Sequence, residues 1–154
     1  MTVGTVFVTV GSVAPFDRLV MEADRLVGEG AFDSGVAQIG NGHYIPKNLK
    51  WFRFRKDLTE FYMQADLIIT HGGAGTIFEI LKTGKKAIAV PNPDAVHNPD
   101  IVIKMSREGH ILLCPDPSRL RDFVEMAKKW EPKKYIPPPC QIHSFIIKYL
   151  SNVP

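Results

Sequence analysis

Cysteine is scarce in this chain. There are two, Cys114 and Cys140, among 154 residues, and they are too far apart in sequence for a metal-ligand spacing. No disulfide framework is implied, and the expectation is reduced thiols in a cytoplasmic protein. Long apolar runs are absent, with none near the roughly 18–20 residues that span a bilayer. The opening Met1–Val10 has no basic segment ahead of its apolar stretch and no small-residue cleavage site, so no secretory signal is expected. Asp-x-Asp occurs nowhere, which removes the familiar pair of acidic ligands for a divalent cation. Charge of one sign is also lacking: 19 basic against 16 acidic residues give +3, too weak a balance to imply nucleic acid. No internal repeat is found. What is present is a 45% hydrophobic composition and the length of one ordinary domain, enough to bury a core unaided.

Strand and helix patterns alternate. Thr5–Val10 reads as a β-rich run stopped by Gly11-Ser12, and Phe16–Gly28 as a helix with Phe16, Leu19, Val20, Ala23 and Leu26 on one face. Gly35–Ile39 and Leu49–Phe54 read as further strands. Asp57 is expected to cap a short helix over Leu58–Ala65. Leu67–Thr70 is a short apolar strand, followed by a glycine cluster and a helix from about Thr76 to Lys82 that ends at Gly84. Ala87–Val90 is a strand stopped by Pro91, Pro99–Arg107 a helix, His110–Leu113 a last strand, and Ser118–Trp130 a helix with Ser118 as N-cap. This order implies an α/β fold, a parallel Rossmann-like sheet with helices on both faces. Ligands of such sheets bind at the carboxyl ends of the strands, here the loops after Val10, Phe54, Thr70 and Val90.

The stretch from Thr70 to Glu79 carries the most chemistry. A buried strand ends, His71-Gly72-Gly73-Ala74-Gly75 makes the turn, and a helix begins with Thr76. Small residues let a ligand approach the backbone, and a helix start offers unpaired N–H groups with partial positive charge. Together these predict an anion site, best suited to phosphate. Thr76 adds a hydroxyl and His71 a ring nitrogen. Glu79 lies a turn further on, where a carboxylate can accept from the vicinal hydroxyls of a ribose. A phosphate beside a ribose describes a nucleotide. The turn is not a P-loop, because no Lys-Ser/Thr follows the glycines, and the dinucleotide spacing G-x-G-x-x-G fails. A glycine-rich turn can also serve packing alone.

His71-Gly72-Gly73-Ala74-Gly75-Thr76-Ile77-Phe78-Glu79 resembles the donor-binding signature of nucleotide-sugar glycosyltransferases built from two Rossmann-like halves, the GT-B fold. Together with Val6–Ser12 and Phe16–Val20, it is similar to the C-terminal, donor-binding domain of glycosyltransferase family 28. That group includes the small catalytic subunits of two-part UDP-N-acetylglucosamine transferases that act on dolichol-linked sugars, bacterial exopolysaccharide transferase subunits and, more distantly, the peptidoglycan transferase that forms lipid II. The likeness covers about Val6 to Val124. It implies that Glu79 holds the ribose hydroxyls and that His71, Gly72, Gly73, Ala74, Gly75 and Thr76 face the diphosphate, with Gly11 and Ser12 beside them. It implies that Phe54 stacks near the uracil while Arg55 presents backbone to its edge; Phe54 as a core aromatic at a strand end is the alternative. After Pro91 the family carries a His-Gln element that contacts the donor sugar. Here His97 matches and Asn98 stands in place of Gln, one methylene shorter. A helix-capping role for the pair is the other reading.

The resemblance further implies inverting transfer from a UDP-sugar with no metal or other cofactor, UDP-N-acetylglucosamine being the favoured donor and UDP-galactose the alternative. The general base is left open among Asp17, His97, Asp94 and another chain, with His97 and Asp17 foremost. A non-catalytic UDP-sugar-binding module is the competing reading. Since one half alone is present, the expected partners are a membrane-anchored, acceptor-binding subunit and a lipid-linked acceptor, with no nucleic acid. The chain would then lie in the cytoplasm, peripheral to the membrane through that partner. Residues 1–131 form the expected nucleotide-sugar domain. Residues 132–154 form a Pro-rich connector, Pro132–Pro139, and an amphipathic helix over Ile142–Leu150 that either docks a partner or folds back. Lys47, Lys50, Arg53, Arg55 and Lys56 make a basic run that is a solvated edge, an attractor of diphosphates or a contact for an anionic membrane.

Overall fold

The alternation predicted above is realised in a computed structural model that describes residues 3–11, 14–95 and 99–136. The order is β1 (Thr5–Thr9), α1 (Asp17–Gly28), β2 (Ser34–Gln38), β3 (Lys50–Phe52), α2 (Thr59–Gln64), β4 (Leu67–Thr70), α3 (Ala74–Thr83), β5 (Ala87–Ala89), α4 (Asp100–Arg107), β6 (Leu112–Leu113), a 3-10 turn (Pro117–Arg119) and α5 (Leu120–Lys129). All pairings are parallel, and the strand order is β3-β2-β1-β4-β5-β6. Strand order therefore reverses between β1 and β4, which pair Val6↔Leu67 through Thr9↔Thr70. That switch point is where open parallel sheets bind ligands.

Side chains alternate across the sheet, and both faces are covered. Val6, Val8, Val10, Leu67, Ile69 and Ile88 pack with Leu19, Ala23 and Leu26 of α1 and with Leu120, Val124 and Ala127 of α5. Phe7, Ile68, Ala87 and Ala89 pack with Tyr62 of α2, Ile77 and Ile80 of α3, and Val102 and Met105 of α4. Phe7 is the centre of an aromatic group. Its ring lies 5.3 Å from Phe61, 5.6 Å from Tyr62 and 6.5 Å from Phe52. Such pairs contribute about 0.5–1.5 kcal/mol each beyond their buried area. They fix α2 against the sheet and thereby the side of the site that α2 contributes.

Most element ends differ from expectation by a residue or two, β6 is only Leu112–Leu113 of the expected His110–Leu113, and three differences have a local cause. β3 is shorter than Leu49–Phe54, because it is an edge strand with one neighbour and the chain turns away after Phe52. α3 begins at Ala74, two residues early, since Gly73 in an extended conformation already serves as N-cap. Ser118 is not the cap of the last helix. The Asp116 carboxylate accepts from the Ser118 N–H at 2.9 Å and opens the 3-10 turn, with Pro117 at its first position, before α5 starts at Leu120. The Asp57 side chain does accept from the Thr59 N–H, at 2.9 Å, at the start of α2.

The described part of the Pro-rich connector is pinned to the domain. The Lys133 N–H donates to the Gly109 carbonyl, Lys133 O lies 2.8 Å from His110 Nδ1, and Tyr135 packs on His110 and Phe78. The expected helix over Ile142–Leu150 lies outside the described residues.

Candidate functional site

At the carboxyl edge, two loops meet across the switch point. After β1 the chain reaches Gly11, and after β4 it passes His71 and Gly72 into Gly73 and α3. Gly72 has φ +93°, a conformation open to glycine, and a Cβ there would stand 3.3 Å from Val102 Cγ2. The His71 ring fills the gap between the loops. A Cβ added to Gly11 would lie 2.7 Å from its Nε2, and one added to Gly73 only 2.5 Å. Those two glycines make room for the imidazole. The Thr70 hydroxyl sits 3.4 Å from Nδ1 on the ring's other side.

α3 starts without a side-chain cap, and its first internal bond is Ile77 N–H to the Gly73 carbonyl. The N–H groups of Ala74, Gly75 and Thr76 precede that bond and have no helical acceptor. No acidic residue lies in this first turn, so the positive end of the helix is not neutralised from within it. Ala74 and Gly75 are exposed, and a Cβ on Gly75 would meet nothing within 4 Å. The structure thus brings Gly11 of one loop against the turn formed by His71, Gly72, Gly73, Ala74, Gly75 and Thr76.

Phe54 reaches the rim of the same place. Gly40, at φ +58°, has the Gly11 carbonyl oxygen 3.0 Å and the Phe54 ring 3.6 Å from where its Cβ would be. Phe54 is 48% exposed, so it is a presented ring and not a core aromatic. Arg55 is held from within: its N–H donates to Gln38 Oε1 at 3.1 Å, and buried Gln38 donates in turn to Thr9 Oγ1. The Arg55 guanidinium stacks on Phe52 and Phe61 at 4.8 and 5.0 Å.

Glu79 is not at the turn itself. It lies further along α3 and faces a cavity of about 390 Å³ between α2 and α3, lined in part by Lys56, Leu58, Tyr62, Lys82 and Thr83. The Tyr62 hydroxyl donates to Glu79 Oε2 at 3.1 Å. Burial, and next the adjacent Glu79 charge, push the Tyr62 phenol well above its ordinary value, so it stays a donor. Tyr62 was not distinguishable in sequence from its neighbour Phe61; only the fold shows which of the two meets Glu79.

The remaining candidates divide into two groups. Ser12, His97 and Asn98 lie outside the described residues. Asp17 is engaged by the protein: Oδ1 accepts from the His43 N–H at 3.1 Å and the Tyr44 N–H at 3.3 Å, and Oδ2 lies 3.2 Å from the His43 nitrogen. The segment after β5 is tied across the edge by buried Asn92, whose Nδ2 donates to the Pro15 carbonyl and whose Oδ1 accepts from the Asp94 N–H. Among the described residues no group of His, Cys, Asp and Glu is arranged to hold a metal ion, and no helix is long and apolar enough to cross a membrane.

A parallel sheet of this order, with a glycine turn opening a helix at the switch point, is a Rossmann-like domain, and its fold matches that of GT-B glycosyltransferase domains. The chain belongs to the glycosyltransferase family 28 C-terminal domain, whose family model matches residues 5–101. It is 32% identical over 122 residues to the UDP-N-acetylglucosamine transferase subunit ALG13 of Mus musculus, covering 70% of this chain and 10% of that protein. It is 30% identical over 95 residues to the UDP-N-acetylglucosamine--N-acetylmuramyl-(pentapeptide) pyrophosphoryl-undecaprenol N-acetylglucosamine transferase of Prochlorococcus marinus, covering 60% of this chain and 25% of that protein. Among solved structures, the solution structure of ALG13 superposes with a TM-score of 0.62 at 20% identity, over 84% of this chain and 88% of that one. The chain thus spans only about a tenth of the mouse relative and a quarter of the bacterial one.

Proposed function

We propose that this chain is the donor-binding, catalytic subunit of an inverting, metal-independent UDP-sugar glycosyltransferase, with UDP-N-acetylglucosamine as donor. The observation that carries the reading is the uncapped start of α3 at the switch point, facing Gly11 across the His71 ring, with Glu79 further along the same helix. Membership of the family and the names of the relatives support the same reading. In it the pyrophosphate sits on the N–H groups of Ala74, Gly75 and Thr76, the ribose hydroxyls meet Glu79, and Phe54 lies against the base. The Arg55 N–H is spent on Gln38, so its carbonyl is the group offered to the base edge.

Transfer breaks the bond between the anomeric carbon and the UDP oxygen. Negative charge develops on that oxygen, and preorganised N–H dipoles and the helix terminus stabilise it without reorganising. An acceptor hydroxyl attacks from the opposite face, and a general base takes its proton. Since the Asp17 carboxylate already holds loop amides, the reading gives it a positioning role and places the base at His97, Asp94 or in a partner. The partner is a membrane-anchored subunit that supplies the acceptor-binding half and a lipid-linked acceptor, holding this chain at the cytoplasmic face. Asn98, shorter than the Gln it replaces, bears on the donor sugar.

Calorimetric titration with UDP tests the site. Gly75→Ala adds a methyl into open space within a helix, so the variant should be more stable, by up to about 1 kcal/mol. The same methyl stands where a phosphate would approach the backbone, so UDP affinity should fall ten-fold or more, the worth of one charge-assisted bond. A stable variant that binds UDP as the parent does would remove the phosphate from this turn. Transfer by membranes containing the partner should also persist in excess EDTA; activity lost in EDTA and restored by magnesium would overturn the metal-independent step.

A further inference from the structure

The chain's positive charge is concentrated in one segment, whose last two basic residues, Arg55 and Lys56, border the donor site and whose first two, Lys47 and Lys50, lie outside it. From Ser34 to Lys56 there are five basic residues, Lys47, Lys50, Arg53, Arg55 and Lys56, and no acidic one. The other 131 residues carry 14 basic and 16 acidic side chains, so this segment alone makes the net charge positive. None of the five is in an ion pair among the described residues. The segment contains β3, the terminal strand of the sheet, which has β2 on one side and no strand on the other. Trp51 and Ile45 are each 42% exposed, and Lys47 and Lys50 are exposed; Lys50 and Trp51, successive in the edge strand, extend to its two faces. The Arg53 guanidinium lies 5.9 Å from the centre of the Trp51 ring.

We propose that the β3 flank, Ile45, Lys47, Lys50 and Trp51, is a docking surface for an anionic phospholipid bilayer. The headgroup layer is the environment that takes both halves of the patch. Unpaired lysines are attracted to anionic lipid phosphates, while an indole and an isoleucine side chain enter the boundary between headgroups and acyl chains. A nucleic-acid strand would satisfy the lysines and stack on Trp51 but has no place for the exposed Ile45. The flank is two strand positions, roughly 10 Å, from β1, so a bilayer against it leaves the turn at Gly72–Thr76 open to its donor. The contact is independent of any partner and is weak by itself, since a few charges and two apolar side chains give reversible binding.

The test is cosedimentation of the full chain with vesicles of phosphatidylcholine containing about one-third phosphatidylserine, a strongly anionic surface. The chain should bind these at low ionic strength, should release near 0.5 M salt where screening is short-ranged, and should not bind phosphatidylcholine alone. Lys47→Ala combined with Lys50→Ala should lower the partition coefficient about 25-fold, five-fold per charge. Trp51→Ala should lower it at every salt concentration. These side chains are exposed and outside the donor site, so the thermal midpoint and UDP affinity should hold, and failure here would leave the donor site untouched. The proposal is overturned by absent binding to anionic vesicles, by binding indifferent to the lysine pair, or by preference for a mixed-sequence oligonucleotide over vesicles.

Discussion

Asp24→Ala is expected to destabilise the domain by about 2–4 kcal/mol, as when the charged acceptor of several buried hydrogen bonds is removed and its donors are left unsatisfied. Asp24 sits in the middle of α1, 1% exposed, and its carboxylate is the anchor of the segment that leads into β3. It accepts from the N–H of Lys47 at 3.0 Å, of Asn48 at 2.8 Å and of Leu49 at 3.0 Å, and from the Tyr44 hydroxyl at 2.5 Å. Truncation leaves these donors without their acceptor next to a core that includes Leu49. Against a total stability of about 5–15 kcal/mol the loss is a large fraction. Urea unfolding measures it, and a change below about 1 kcal/mol would show that water replaces the carboxylate at little cost. Asp24→Asn keeps the shape and one acceptor oxygen and should fall between the parent and the alanine variant.

The same network sets the response to pH. Burial pushes the Asp24 carboxyl up, but the bonds from Lys47, Tyr44, Asn48 and Leu49 outweigh it and hold the group below its ordinary value. A carboxyl lowered in the folded state contributes stability that is complete above the unfolded value, near 4, and is lost as pH falls through the folded one. Tyr44 works at the other end. Its bond to Asp24, then burial, push the phenol up to about 12, so its share of stability is complete below about 10 and disappears as pH rises toward 12. Asp24→Asn should therefore flatten the acid limb of the stability profile and also reduce the loss along its alkaline limb. An unaltered acid limb would assign acid unfolding to other carboxylates.

This network also marks where sequence reasoning stops. Leu67–Thr70 is read to the residue, because a short apolar run between Asp66 and a glycine cluster has no helical alternative. The glycine turn is read for the same reason, as local chemistry, and so is the end of α3 at Gly84, which takes φ +70°. Asp24 is different. Nothing in Ala23-Asp24-Arg25 separates a buried anchor from a solvated helix residue, since its partners begin 20 residues away. The His71 ring between Gly11 and Gly73 is equally invisible, because the contact joins loops from two strands that are adjacent only in the folded sheet. The cap at Asp116 is missed for a local reason: Asp116 and Ser118 are both good caps, separated by a proline, and the choice depends on where the helix axis begins.

Glu79→Ala is expected to weaken UDP binding about 100-fold, the order of losing one charge-assisted bond of the stronger kind. The pairing to one chemical group can be measured directly with 2′-deoxyuridine diphosphate. If Glu79 takes the vicinal hydroxyls, the parent should prefer UDP over the deoxy ligand by ten-fold or more, and Glu79→Ala should bind the two alike. Tyr62 enters through the same carboxylate. Its hydroxyl occupies Glu79 Oε2 at 3.1 Å and orients the group. Tyr62→Phe keeps the ring packed on Phe7 but frees the carboxylate to rotate, so UDP affinity should fall several-fold, the worth of one ordinary hydrogen bond, while the preference over the deoxy ligand persists in reduced form. A merely structural tyrosine would change stability and leave that preference as it is in the parent. A preference that survives Glu79→Ala in full would move the ribose to another residue of the cavity and take Tyr62 out of the site with it.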